Sequence, residues 1–559
     1  MNDLKEGKKH SFMVNVAIIL FSQVMVKLLG LIYRMVITNI DGFGDAGNGF
    51  YTAGFQVYTL LLAISSVGIP NAISKMVSEK MALKDYKGAH RIFKTAFILF
   101  AVIGAVCSVL LFFGSNFIAH YIVKMDGVEY TMRALSPSIF FVCISSVIRG
   151  YFVGLQNMKA TSTSQILEQV FKCSLTILFV VLAIGQPPEI MAAWANFATS
   201  VACTLSFAYL IVFYMRRKKG IWKLVRTTAV ESIAPPMGKM MKAILMISIP
   251  ISLGSIITAV NRVIDTATIT RGIEVAFANG IPAHGSVAAV LSPTLHQLNQ
   301  EAVRLAGLLS KSDTLINMPL ALNIAFATVL VPSISGALAV GNYKEASSKV
   351  TYSLLISILL ILPCAIGYIS LAQPIYMLIY PKAPLGYDLL QLSAIALIFT
   401  ALNQTISGSL QGLGKVFTPA TGLLVGCIAK IILNIVLIRQ PGINIYGAAI
   451  SSIVCQIISF AICFTVLSKR LTLKISLPKY ILKPLAAGVI MGIVAWLVYK
   501  VVYSIISSNL IATLVAILLA AVVYFALVVF LKILDQDEIE TLPGGKKIFA
   551  GLQRLHLYR

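Results

Sequence analysis

From residue 12 onward the chain falls into about fourteen apolar runs, each long enough to cross a bilayer. A hydrocarbon core about 30 Å thick takes roughly 20 helical residues. Backbone amides inside that core must find partners within their own segment. The runs can therefore form only helices, and lipid is the solvent they face. The first six runs are 12–40, 50–74, 93–118, 131–154, 161–184 and 189–214. The next six are 242–269, 312–339, 351–380, 386–410, 418–438 and 445–468, and the last two are 480–504 and 509–532. Of 559 residues, 58% are hydrophobic and only 12% are charged, more apolar surface than a soluble chain could bury. The first run is too long for a signal peptide and lacks a small-residue cleavage site.

A net charge of +24 would suit a nucleic-acid partner only if the basic residues shared one face. They alternate between loops instead. Lys5, Lys8 and Lys9 precede the first run, and Lys80, Lys84, Lys87, Arg91 and Lys94 follow the second. Arg216-Arg217-Lys218-Lys219 with Lys223 and Arg226 follows the sixth, and Lys469, Arg470, Lys546 and Lys547 lie further on. The opposite loops are poor in Lys and Arg, with Asp41, Asp45 and Gln186–Glu189 as examples. The positive-inside rule then predicts a plasma-membrane protein with both termini in the cytoplasm and no nucleic-acid partner.

The chain also repeats itself. Asp85-Tyr86-Lys87-Gly88-Ala89 matches Asn342-Tyr343-Lys344-Glu345-Ala346 at an offset of 257. Gly154-Leu155 matches Gly412-Leu413, Lys172 matches Lys430, and Pro70 matches Pro332 at nearly the same offset. Both copies begin on the same side, which makes this a parallel repeat about an axis along the membrane normal. The expected organisation is an N-lobe with a basic cytoplasmic linker over 1–240, a C-lobe over 241–470, and two further helices with a cytoplasmic tail over 471–559. The stretch 271–311, with Gly280, Pro282, Gly285 and Pro293, is expected as an extracytoplasmic insertion containing a short helix.

The ionisable residues inside spans carry the functional signal, because each costs about 2.5–3.5 kcal/mol at mid-bilayer on insertion scales. Span one holds Lys27 and Arg34 on one helix face, span five Glu168 and Lys172, span seven Arg262 and Asp265, and span eleven Lys430. Spacings of three and four make Glu168–Lys172 and Arg262–Asp265 candidate intrahelical pairs. Arg149 and Lys159 stand near the cytoplasmic interface, within snorkelling reach of water. Five cations against two acids leave an excess of three positive charges, which suits a hydrated cavity for an anionic ligand. Asn196, Asn403, Gln404 and Gln456 are candidate polar walls of that cavity. The eight cysteines and six histidines show no ligand spacing, so neither a metal nor a cofactor is expected. No phosphate-binding loop, HExxH or GxSxG motif occurs, which points away from an enzyme.

The stretch Arg149-Gly150-Tyr151-Phe152-Val153-Gly154-Leu155-Gln156-Asn157-Met158, continuing to Ser164-Gln165-Ile166-Leu167-Glu168-Gln169, resembles a family signature. So do Gly68-Ile69-Pro70-Asn71-Ala72-Ile73-Ser74, Asn317-Met318-Pro319 and Val331-Pro332-Ser333-Ile334-Ser335. The resemblance is to the oligosaccharidyl-lipid flippase branch of the multidrug/oligosaccharidyl-lipid/polysaccharide (MOP) exporter superfamily. Within that branch it is to the Gram-positive group of stage V sporulation proteins B and MurJ-type lipid II flippases. It implies an all-α polytopic fold with two six-helix lobes in a V around a cationic cavity. It further implies alternating access, a groove for a lipid tail at spans thirteen and fourteen, and an undecaprenyl-pyrophosphate-linked sugar as substrate. In MurJ-type members arginines of spans one, two and eight contact substrate. Lys27 and Arg34 stand at the matching places of span one, whereas Leu61–Ile64 and Thr314 stand where the other two would be, leaving Arg262 and Lys430 as replacement charge.

Three other readings stay open at this level. A flippase for another lipid-linked glycan, such as a capsule or teichuronic acid precursor, shares the same features. A cation-coupled multidrug exporter of the same superfamily would want an acidic pocket. A membrane scaffold for cell-wall synthases would transport nothing.

Overall fold

The structure is a computed structural model that describes residues 25–66, 68–155, 157–226, 236–279, 295–339, 341–473 and 475–540, with 549 and 553. Eleven of the helices among the described residues are long and apolar enough to cross a membrane, or twelve if one bent pair counts as a span. Of the two remaining expected spans, 312–339 falls on the helix Leu295–Ala339 (α9), and 12–40 coincides in part with the helix 25–38 (α1), its residues 12–24 lying outside the described residues. The protein is thus an all-α, multi-pass membrane protein.

Contacts divide the chain into two units. The first comprises Met1–Ser310 with Ile431–Ala448. It holds α1, α2 (Gly44–Ser65), α3 (Ile69–Ala82), α4 (Tyr86–Phe117), α5 (Val128–Gly154), α6 (Met158–Leu182), α7 (Pro188–Arg226) and α8 (Met237–Asn279). Helix α5 is the core element: it packs on α2, α3, α4 and α7. Accordingly 67% of its most apolar stretch is buried, against 17% for α6, whose remaining surface is left for lipid. Helix α8 bends by 55° between Ile249 and Ser252, around Pro250, which lacks the amide hydrogen that would continue the ladder.

The second unit comprises Lys311–Lys430 with Ala449–Arg559. It holds most of α9, then α10 (Tyr343–Ile379), α11 (Tyr387–Gly412), much of α12 (Phe417–Leu437), α13 (Tyr446–Ser468), α14 (Lys483–Ile506), α15 (Asn509–Phe530) and the short α16 (Gln536–Glu540). Helix α10 carries Pro363 and Pro374 and kinks at Leu371, where φ is −117° and ψ is 20°. Helix α14 lies close against α10 because Gly488 and Gly492 face it. A Cβ on them would stand 2.4 Å from Ile366 Cδ1 and 2.6 Å from Ser370 Oγ. Small residues four apart are the usual means of bringing apolar helices together without a hydrophobic driving force.

The repeat is visible in local detail. Asp85 caps α4 by accepting from the Gly88 amide, and Asn342 caps α10 by accepting from the Glu345 amide. Gly154 and Gly412 each end a helix, and each carbonyl accepts from a serine of an earlier helix: Ser78 at 3.3 Å and Ser335 at 3.0 Å. Gly127 and Gly386 precede α5 and α11 with φ of 97° and 93°, a left-handed turn that favours glycine at both places.

Of the stretch 271–311, expected as an extracytoplasmic insertion with a short helix, the described residues 271–279 and 295–311 are helical. Helix α8 runs on to Asn279 and α9 starts at Leu295, while 280–294 lie outside the described residues. The first turns of α9 are amphipathic and bury Val303 and Ala306 against α2 within the first unit's core. Two glycines permit the approach: a Cβ on Gly49 would meet the Val303 carbonyl at 2.1 Å, and one on Gly307 the Asp45 carbonyl at 1.8 Å.

Overpacking that crossing has a measurable consequence. Gly307→Leu should cost about 1–3 kcal/mol and lower the thermal midpoint of the detergent-purified protein. Gly220→Ala, where a Cβ meets nothing within 4 Å, should not lower it. Equal midpoints for the two variants would contradict the packing described.

Candidate functional site

The α2–α9 crossing fixes two hydroxyls beside a buried arginine. Thr52 lies one turn after Gly49, and Ser310 one turn after Gly307. Their hydroxyl oxygens are 2.5 Å apart. Arg34 of α1 donates from Nη2 to both, at 2.9 Å to Thr52 and 2.7 Å to Ser310. Its guanidinium lies 4.6 Å from the centre of the Tyr51 ring. The side chain is 9% exposed, and Nη1 is buried with no hydrogen-bond partner. Among the described residues no carboxylate pairs with it.

Lys172 of α6 reaches the same aromatic wall. Its Nζ lies 4.5 Å from the Phe55 ring centre and 5.7 Å from that of Tyr33. Tyr33 and Tyr51 share a hydrogen bond of 3.0 Å, and Phe55 stacks on Tyr51 at 6.0 Å. Three rings from α1 and α2 thus carry two cations. Each cation–π contact contributes about 0.5–2 kcal/mol, more when desolvated. That offsets part of the cost of burying the charge while leaving it uncancelled.

Lys27 and Arg262 complete the positive field. Both side chains are exposed, neither has an ion pair among the described residues, and Lys27 lies within electrostatic range of Arg262 and Lys172. The structure therefore brings four of the predicted cations, Lys27, Arg34, Lys172 and Arg262, into the first unit. Lys430, 2% exposed, belongs to the second.

The two predicted intrahelical pairs do not form. Glu168 does not meet Lys172; its Oε2 accepts from Arg149 Nη2 at 2.6 Å. Arg149 does not snorkel: it is 8% exposed, and it also donates to Ser164 at 2.9 Å and Ser206 at 3.0 Å. Asp265 accepts from Asn434 at 3.2 Å, and the same amide donates to Thr268 at 2.8 Å, so Arg262 keeps its charge. In each case an interhelical partner with a rigid approach outcompetes a flexible neighbour one turn away.

The predicted polar walls are bonded within the protein. Asn196, fully buried, donates to the Tyr51 carbonyl at 3.3 Å and braces the wall from behind. In the second unit Asn403 donates to Gln456 at 2.9 Å, and Gln404 accepts from Asn323 at 3.0 Å. Tyr33, Tyr51, Thr52, Phe55 and Ser310 escaped the sequence reading because aromatic and hydroxyl residues are ordinary inside spans. The only signal was Tyr51 and Phe55 four apart on one face. Lys311 was missed too: it is 1% exposed and donates to the Ala383 and Leu385 carbonyls at 2.7 and 2.8 Å.

The second unit contains an apolar cavity of about 720 Å³ between α10, α14 and α15, lined by Pro363, Gly367, Leu371, Met491, Ala520 and Tyr524 among others. Tyr524 and Tyr368, its two polar-tipped lining residues, donate to the Leu359 and Leu315 carbonyls at 3.1 and 2.9 Å. The cavity thus offers hydrocarbon contact without a free hydroxyl on those rings.

Residues 12–338 match the family described as polysaccharide biosynthesis protein, and residues 302–534 match lipid II flippase MurJ. Lipid II flippase MurJ of Bacillus subtilis (strain 168) is 24% identical over 429 residues, covering 74% of this chain and 75% of that one. Stage V sporulation protein B of the same organism is 24% identical over 444 residues, covering 79% and 81%. Among solved structures, the inward closed conformation of lipid II flippase MurJ gives a TM-score of 0.64 at 16% identity, covering 91% of this chain and 97% of that one. An inward-facing multidrug resistance transporter of the MATE family gives 0.63 at 13% identity, covering 80% and 98%. With the family match extending over more than half of its length, the chain belongs to the family described as polysaccharide biosynthesis protein.

Proposed function

We propose that this protein is a flippase that moves a lipid-linked cell-wall precursor, a lipid II-like undecaprenyl-pyrophosphate sugar, from the inner to the outer leaflet of the plasma membrane. The observation that carries the proposal is the pair of buried cations, Arg34 and Lys172, held by rings and hydroxyls with no carboxylate partner. A pyrophosphate leaving headgroup water needs cations that are not already neutralised. The unpartnered Nη1 of Arg34 is a donor awaiting an oxygen. Lys27 and Arg262, exposed and within range, attract the headgroup towards it.

The apolar cavity of the second unit suits the polyprenyl tail, which needs no polar partner. The similarity to lipid II flippase MurJ over three quarters of both chains supports the substrate class. Transport runs by alternating access with both termini in the cytoplasm and needs no covalent chemistry. The membrane potential contributes about 2.3 kcal/mol per charge per 100 mV and helps reset the positively charged empty carrier. Cell-wall synthases that consume the flipped precursor are the natural partners. The cationic field disfavours a positively charged drug as cargo.

Arg34→Gln and Lys172→Gln should each slow flipping of lipid II in proteoliposomes by about tenfold to a hundredfold, the equivalent of one charge-assisted hydrogen bond of roughly 1.5–3 kcal/mol. Both should still insert. Leaflet accessibility of labelled lipid II reads the rate, and unaltered rates would contradict the assignment. Ala520→Trp, which fills the groove, should slow a full-length polyprenyl substrate more than a short-chain analogue. Equal slowing of both would remove the groove from the account.

A further inference from the structure

Glu168 and Lys172 are one turn apart on α6, with the acid N-terminal, the orientation that favours an ion pair along a helix. They do not pair, and Lys172 lies on its aromatic wall. The reason is Arg149. Near the end of α5 it is pinned by Ser164 of α6 and Ser206 of α7, and its third contact takes Glu168 at 2.6 Å. Cys203 lies on the same side, its Sγ 3.9 Å from Glu168 Oε1 and within electrostatic range of both Lys172 and Arg149. The carboxylate, one turn from Lys172 along α6, is therefore committed to Arg149. The glycines of α5 hold that commitment in place. A Cβ on Gly150 would strike the Pro70 carbonyl at 2.8 Å and one on Gly154 the Val77 side chain at 2.7 Å, so the helix end that carries Arg149 is seated closely on α3.

We infer that Arg149 is a positioning residue for the anionic headgroup: by sequestering Glu168 it keeps Lys172 free of a carboxylate and available to phosphate. The inference rests on the flippase reading above. A different role for the same contacts would be a simple tie between α5, α6 and α7. The two roles diverge when the acid is removed. If Arg149 guards Lys172, loss of Arg149 is harmful only while Glu168 can swing to Lys172. If it is a tie, loss of Glu168 weakens the same tie and repairs nothing.

The experiment uses the full-length protein in nanodiscs and undecaprenyl pyrophosphate as the probe, with thermal midpoints recorded alongside. Arg149→Gln should weaken binding by about tenfold or more, the worth of one buried charge contact. Arg149→Gln combined with Glu168→Gln should return to within about threefold of the unaltered protein. Arg149→Lys, which keeps the charge beside Glu168 but gives up the serine contacts, should also bind, and it decides the matter if Arg149→Gln does not fold. A double variant as weak as Arg149→Gln, a weak Arg149→Lys, or an Arg149→Gln that binds normally would each overturn the inference while leaving the flippase reading intact. An unaltered protein that binds no pyrophosphate lipid would overturn both.

Discussion

A cation buried in a membrane protein must replace its water with something, and the choice of replacement decides what the protein can do. A carboxylate would neutralise it and leave a structural ion pair. Here Arg34 and Lys172 are given rings and hydroxyls instead: Tyr33, Tyr51 and Phe55 on one side, Thr52 and Ser310 on another. These groups stabilise positive charge through quadrupoles and dipoles without cancelling it. The outcome is a positive field maintained inside an apolar fold, and the proposed capture of a pyrophosphate depends on it.

The rest of the first unit maintains that arrangement. Gly49 and Gly307 let α2 and α9 approach within backbone contact, which delivers Thr52 and Ser310 to one guanidinium nitrogen. Asn196 holds the backbone of Tyr51. Asn434 occupies Asp265, and Arg149 occupies Glu168, so that these two acids are engaged away from Arg262 and Lys172. In the second unit the same means, glycines four apart on α14, close α14 onto α10 beside a kink and leave a groove lined by apolar side chains.

How much of this was legible in the sequence follows from the range of each interaction. Span positions were readable because hydrophobicity over a window is a local property, and eleven or twelve of the expected spans coincide with apolar helices among the described residues. The repeat was readable because helix caps are also local: Asp85 and Asn342 cap equivalent helices, and Gly154 and Gly412 end them. The cations were readable by their cost in lipid. Their partners were not, since pairing on one helix is the only pairing that spacing can suggest. Glu168 and Asp265 found partners on other helices, and no periodicity in α6 announces Arg149 of α5. Gly280, Pro282, Gly285 and Pro293 lie outside the described residues, while the two ends of the 271–311 stretch belong to α8 and α9, and the first turns of α9 reach α2.

The central claim is that the uncancelled cations on the aromatic wall receive a phosphate. It is tested most directly by an electron cryomicroscopy map of the protein with undecaprenyl pyrophosphate bound in nanodiscs. The account predicts phosphate density within hydrogen-bond distance of Arg34 Nη1 and Lys172 Nζ, with the Arg149–Glu168 pair intact. Headgroup density elsewhere, with Nη1 still unengaged, would contradict it.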